Sequence, residues 1–331
     1  MKNPPASIAH LDFVAGIPTL DLSDFVSGSE KQRTQFVHDL GAVYREVGFA
    51  AISGHGIQQE VIDKMYDEAQ SFFALPSDVK MKHQHPEHNH QRGFVSFGTE
   101  HAKDSDAADL KEFWQVGQTH VPEGADMANY PPNAAVGERP HLSVQSDDLY
   151  KNLERVGQHI LRAIALHLNL DEAYFASFVE GGNSILRLIH YPPITSEPQS
   201  SVRAGQHEDI NLITLLVGAS ASGLEVMDTA GEWTSVQATS DQLVVNVGDM
   251  LQRLTNQELK STTHRVVNPP KDQWGKPRFS MPFFCHPVPH MSLAALPQCV
   301  PAGEKPKEPA TTAGEYLEER LRQIGLIKDD D

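Results

Sequence analysis

The chain is predicted to be an α+β protein with a mainly β core, a double-stranded β-helix (jelly roll) flanked by helices. Three observations predict it. From Ile185 to Pro287 short apolar runs alternate with turn residues such as Ala221-Ser222-Gly223, Ala230-Gly231 and Asn268-Pro269-Pro270, the pattern of an antiparallel sandwich or jelly roll. Ahead of that region the apolar spacing is helical rather than alternating. Within it, His207 with Asp209 and Arg278 with Ser280 stand two residues apart, so on extended chain each pair faces one side of a strand. Small barrels of this kind have inward positions to spare for ligands.

The elements follow in order. Glu30 to Glu46 places Phe36, Leu40, Val43 and Tyr44 at helical spacing, and Val61 to Leu75 repeats the pattern with Ile62, Met65, Ala69, Phe72 and Phe73 before Pro76 stops it. A longer helix is expected to start near Ser146, read as an N-cap with Asp147 and Asp148 in the first turn. It runs through Leu149, Leu153, Val156, Ile160 and Ile164 as a spine behind the sheet. Lys305-Pro306-Lys307-Glu308-Pro309 reads as an exposed linker, and a last helix capped by Thr312 carries Tyr316, Leu317 and Leu321 on one side. With no internal repeat, the expected layout is residues 1–120 as an N-terminal helix and strand region, 121–300 as the β-helix core with its spine helix, and 301–331 as linker and C-terminal helix. All three make one structural unit.

Composition narrows the function. At 331 residues, 27 Lys+Arg against 44 Asp+Glu give a net charge of −17, which would repel nucleic-acid phosphates and anionic membranes and favours a small-molecule substrate. Two cysteines, Cys285 and Cys299, are too few for a disulfide framework and point to free thiols and a cytoplasmic setting. Met1 to Ala9 has no apolar run of signal-peptide length, and no later stretch could span a bilayer. The sequence leaves the oligomeric state open.

The strongest chemical signal is His207-Glu208-Asp209 at the head of the apolar run Ile210 to Leu216. An imidazole and a carboxylate are aimed together there, and His264, among the β-branched neighbours of Ser261 to Val267, supplies a second imidazole. Two histidines and one carboxylate form the facial triad that holds non-haem Fe(II) with positions left open. His10-Leu11-Asp12 repeats the His-x-Asp pattern with nothing around it in support. Arg278-Phe279-Ser280 adds a guanidinium fork and a hydroxyl suited to a carboxylate.

At this point the chain resembles the iron(II)- and 2-oxoglutarate-dependent oxygenases of the isopenicillin N synthase type, over nearly its whole length. The match begins at Ile17 to Leu22 and continues through Gly48 to Ile57, Asp109 to Phe113, His190-Tyr191-Pro192-Pro193, Gly248 to Gln252 and Arg278 to Phe284. The resemblance implies that fold, with the metal in the barrel mouth. It also implies Fe(II), O2 and 2-oxoglutarate as cofactor and co-substrates, with release of succinate and CO2. The distal carboxylate of 2-oxoglutarate is then expected on Arg278 and Ser280, with Tyr191 adding a hydroxyl.

For the substrate, relatives bring a loop or strand over the pocket where Arg92 to Gly98 lies, making Phe94 and Phe97 candidate walls, with core packing an equal account. Phe284 shares parity with Arg278 and Ser280. Leu254, where many relatives carry an aromatic residue, and Ile189, where many plant relatives carry a polar one, leave substrate class open. The segment with His83, His85, His88 and His90 is expected to be a solvated loop rather than a metal site, His55 a turn residue, and Asp249 the organiser of a turn between strands. Two alternatives stand beside the main reading. In isopenicillin N synthase itself a matching Arg-x-Ser and tyrosine bind substrate and no 2-oxoglutarate is used, although the aromatic pair expected after Gly93 in such a cyclase is Phe94-Val95 here. The other alternative is a non-enzymatic jelly-roll protein that has kept a metal.

Overall fold

The computed structural model describes residues 5–14, 16–100, 109–121, 123–125, 127–198, 201–218 and 221–323. Strands β1 (Phe13–Val14) and β2 (Ile17–Asp21) lead into α1 (Leu22–Val26), which Asp21 caps through the Ser23 amide. Helix α2 (Glu30–Glu46) opens on a capping box between Ser29 and Gln32 and buries Phe36, Leu40, Val43 and Tyr44. After β3 (Phe49–Ser53) comes α3 (Gln59–Phe73), which ends two residues before the expected Leu75. The helix thus ends ahead of Pro76, as expected, and Pro76 in turn precedes α4 (Ser77–Met81), where its fixed φ and missing N–H suit a helix start.

Strands β4 (Gly93–Val95) and β5 (Glu112–Gly117) precede the 28-residue spine α5 (Pro140–His167). Its start corrects the expectation at Ser146. Pro140 occupies the first turn, and Ser146 lies fully buried inside the helix, its hydroxyl against Met65 Sδ at 3.7 Å. Leu142 already belongs to the buried stripe, so the apolar period begins a full turn earlier than the apparent cap.

The rest of the core is α6 (Ala176–Val179), β6 (Ile185–Tyr191), β7 (Ala204–His207), β8 (Ile213–Val217), β9 (Leu224–Met227), β10 (Trp233–Ser235) and β11 (Leu243–Val247). It closes with α7 (Asp249–Leu254), β12 (His264–Val266), β13 (Arg278–Cys285) and α8 (Ala313–Gln323). Among the described residues two sheets result, one of nine strands in the order β1-β2-β3-β11-β8-β13-β6-β5-β4 and one of four in the order β10-β9-β12-β7. All five strands that precede residue 120 join the larger sheet, which is why the N-terminal region is continuous with the core. Helix α5 packs on α2 and α3 and against β8 and β13. The segment Lys305–Pro309 is largely exposed but tied to α7, through Arg253 to Glu308 (3.2 Å) and to the Pro309 carbonyl. No described helix is long and apolar enough to cross a membrane, and both cysteines are free.

Candidate active site

The cavity between the two sheets is lined from both sides by inward-facing positions. On β6 these are Arg187, Ile189 and Tyr191, and on β13 they are Arg278, Ser280, Pro282 and Phe284, each series two residues apart. The smaller sheet contributes His207 from the end of β7 and His264 from the start of β12. The two are register partners, which brings their ring centroids to 4.3 Å.

Each histidine is held in one tautomer. His207 Nδ1 lies 2.7 Å from the Gly205 carbonyl and His264 Nδ1 3.1 Å from that of Thr262. A carbonyl only accepts, so Nδ1 carries the proton and Nε2 keeps its lone pair. Both Nε2 atoms lie 3.8 Å from Asp209 Oδ1, and one donor atom from each of the three residues falls within 4.8 Å of the others. Burial, with His207 alongside, pulls the His264 imidazole down to about 4, so it is neutral near neutral pH.

Asp209 turns its second oxygen away from the histidines. Oδ2 accepts from Thr214 Oγ1 at 2.6 Å and from Asn246 Nδ2 at 2.9 Å. Thr214 and Asn246 are register partners across β8 and β11, and Asn211 donates to Thr214 Oγ1 at 2.8 Å, fixing the direction of the hydroxyl proton. Burial raises the Asp209 carboxyl, but His264, His207 and these two donors outweigh it and leave it below the ordinary value. The loop carrying Asp209 is clamped by the next turn, since Asp249 N donates to the Asp209 carbonyl at 2.8 Å. Gly248 permits that approach, because a Cβ there would stand 2.2 Å from Asn211 Oδ1.

Asn246→Leu should lower metal affinity by about 10- to 100-fold, the usual effect of losing a group that orients a ligand. Titration of the metal-free variant with Fe(II) measures it, and unchanged affinity would remove Asn246 from the site.

At the far end of the cavity Arg278 is fully buried. Its Nε donates to the Ala221 carbonyl at 3.1 Å, its Nη1 to Ser280 Oγ at 3.2 Å, and its guanidinium lies 4.9 Å over the ring of Tyr191, its register partner on β6. Among the described residues no carboxylate pairs with it. A second buried arginine, Arg203, stands 5.9 Å over the same ring with Nε unpartnered, and burial beside Arg278 lowers it to about 10. Two buried guanidinium groups that have no counter-ion among the described residues form a place for an anion.

Toward solvent His207 and Asp209 also border a larger cavity of about 400 Å³. Its inner wall is a buried ion network in which Lys111 pairs with Glu100 (2.5 Å) and Asp109 (2.8 Å), and Arg187 with Glu100 (3.1 Å) and Gln115 (3.1 Å). Burial alone would raise the Glu100 carboxyl, but Arg187 and Lys111 bring it down to about 2. The Arg187 guanidinium lies between Phe113 (4.2 Å) and Phe284 (5.2 Å). His286, next on the β13 parity after Phe284, borders the cavity with a buried, unpartnered Nδ1 and is held neutral, at about 4, by burial. Helix α8 supplies the outer wall with Leu317, Arg320 and Leu321, and is moored by Tyr316 and Arg320 to Asp249 Oδ2 at 3.0 and 3.3 Å. Asp249 thus begins α7 rather than lying in a simple turn. Beside it Glu208 is raised to about 7 by burial and by the Asp249 carboxylate.

Of the expected substrate walls only Phe284 borders this space. Phe94 is buried against Phe72 and Lys80 in the hydrophobic core. Phe97 is half exposed and borders neither cavity, and Leu254 is buried on α7, where its carbonyl accepts from Leu296 N. His55 sits in its turn, Nδ1 accepting from Ile57 N. Lys111, Arg187, Arg203, Gln115, His286, Thr214 and Asn246 were not singled out from the sequence as site residues. For Arg187 a signal existed, a charge inside the apolar run Ile185 to Ile189.

Comparison with known proteins agrees with this geometry. Residues 17–137 match the non-haem dioxygenase in morphine synthesis N-terminal family and residues 182–287 the 2OG-Fe(II) oxygenase superfamily. A 2-oxoglutarate-Fe(II) type oxidoreductase of Emericella nidulans is 31% identical over 92% of this chain and 89% of its own. A 2OG-Fe(II) oxygenase family protein of Caulobacter crescentus is 41% identical with a TM-score of 0.83, covering 94% of this chain and 99% of its own. A full-length Neurospora crassa protein, solved in complex with alpha-KG and thymine, is 31% identical with a TM-score of 0.81, covering 92% of this chain and 96% of its own.

Proposed function

Because this chain belongs to the 2OG-Fe(II) oxygenase superfamily and is an Fe(II)- and 2-oxoglutarate-dependent dioxygenase, we propose that its two cavities divide the reaction between them. His207, Asp209 and His264 hold the iron. The donor set fits, with two imidazoles presenting free Nε2 lone pairs and one carboxylate whose other oxygen is already bonded. When bound, the iron supplies the oxidising chemistry with O2 and 2-oxoglutarate, and the protein supplies placement and exclusion of water.

Arg278, Ser280 and Tyr191 take the distal carboxylate of 2-oxoglutarate, with Arg203 adding positive charge behind the ring. The observation that carries this reading is the buried Arg278 guanidinium, which has no carboxylate partner among the described residues and opens toward the His/Asp/His set. A buried cation that lacks a counter-ion is costly unless a ligand provides one. No observation favours a 2-oxoglutarate-independent cyclase or a non-catalytic metal protein over it.

The prime substrate is then a small polar molecule held in the outer cavity. Phe284 offers an apolar face, while Arg187, Gln115 and the neutral His286 offer hydrogen bonds. The thymine bound by the Neurospora relative is a molecule of this size and polarity. Two unpaired cysteines favour a cytoplasmic location. The test is succinate release from 2-oxoglutarate by the Fe(II) protein across a panel of small polar compounds, with products read by mass for gain of an oxygen atom or loss of two hydrogens. Stimulation by such a compound, reduced in Phe284→Ala, is expected. A panel in which only large apolar compounds stimulate turnover would overturn the substrate class.

A further inference from the structure

The turn between α4 and β4 carries His83, His85, His88 and His90 with Glu87, the segment expected to be a solvated loop. Part of it is instead a tight structure. Pro86–His88 form a single 3-10 turn, and Asn89 and His90 follow at φ 49° and 54°. This reversal stacks the His85 and His88 rings at 5.7 Å and 21°. Glu87 Oε1 lies 2.9 Å from His85 Nδ1 and 4.0 Å from His88 Nε2, and the three donor atoms fall within 4.8 Å of one another. Metal bonds of about 2 Å place neighbouring donors roughly 3 Å apart, so a small rotation of His88 completes the set. His85 is fixed over Gly93, where a Cβ would come within 2.7 Å of its Cδ2.

We propose that His85, Glu87 and His88 form a second divalent transition-metal site, distinct from the one between the sheets. Two imidazoles and a carboxylate suit Zn2+, Co2+ or Ni2+ rather than Mg2+ or Ca2+. The turn is linked to the inner cavity, since the His90 carbonyl accepts from Gln115 Nε2 and Gln115 Oε1 accepts from Arg187 Nε at 3.1 Å. A cation that fixes the turn therefore also fixes two groups on the cavity wall.

Titration of metal-free protein with Co2+ by visible absorption, and with Zn2+ against a chromophoric chelator, tests the site. Wild type should take up two equivalents at micromolar metal. His85→Ala/His88→Ala should keep one, His207→Ala/Asp209→Ala should also keep one, and Glu87→Gln, which replaces a carboxylate ligand by a neutral amide, should weaken the outer equivalent by more than the roughly 10-fold that losing an outer partner costs at the least. The His85, Glu87 and His88 side chains are partly exposed, so circular dichroism of their variants should be unchanged. Two equivalents in His85→Ala/His88→Ala, or a single equivalent in wild type, would overturn the proposal.

Discussion

Asp209→Ala is expected to abolish iron-dependent turnover while the chain stays folded. Among the described residues Asp209 is the one carboxylate facing both Nε2 atoms, so its removal leaves two imidazoles there and no carboxylate to balance the metal. Iron affinity should fall by more than the roughly 100-fold that losing an outer partner can cost. The fold is expected to survive because the loss is local: Thr214 and Asn246 lose an acceptor, at about 1–3 kcal/mol for each buried group left unsatisfied, against a total stability of about 5–15 kcal/mol for a folded domain. Iron content after desalting, with circular dichroism as the control, measures both sides. Full activity or wild-type iron content in the variant would remove Asp209 from the centre.

Arg278→Ala should cost on the order of 2–5 kcal/mol of 2-oxoglutarate affinity, the usual range for removing one member of a buried charged pair. Arg278→Lys should recover only part of it, since an ammonium keeps the charge but not the planar fork that meets a carboxylate with two parallel bonds. Ser280→Ala should weaken binding less, because Ser280 contributes a neutral hydroxyl at the same spot. Equilibrium binding of 2-oxoglutarate to the anaerobic Fe(II) protein provides the three affinities. An Arg278→Ala variant with wild-type affinity would assign the guanidinium to another ligand.

Strand parity made much of the site legible. With a period of two, Arg278 had to share a face with Ser280 and Phe284, and in the folded chain the three line one cavity with His207, while Asp209 reaches that cavity from the loop just past the end of β7 rather than from the strand itself. The same parity runs one step past the end of β13 to His286, where the sequence reading stopped too soon. What supports the metal ligands was not legible. Thr214 and Asn246 meet Asp209 only because β8 and β11 pair in one particular register, and a single sequence does not state register. Placement by resemblance failed at Phe94 and Leu254, which neighbouring elements cover. Ser146 misled for a local reason, since Ser-Asp-Asp looks like a cap wherever it occurs, while the buried stripe from Leu142 shows the helix already under way.

The central claim, that 2-oxoglutarate joins the iron held by His207, Asp209 and His264 with its far end on Arg278, is tested most directly by adding 2-oxoglutarate to the anaerobic Fe(II) protein and recording the visible spectrum. A weak charge-transfer band that saturates at one 2-oxoglutarate per chain, and needs higher concentrations in Arg278→Ala, is the predicted result. Absence of the band in wild type, together with substrate-driven O2 consumption when no 2-oxoglutarate is present, would contradict it.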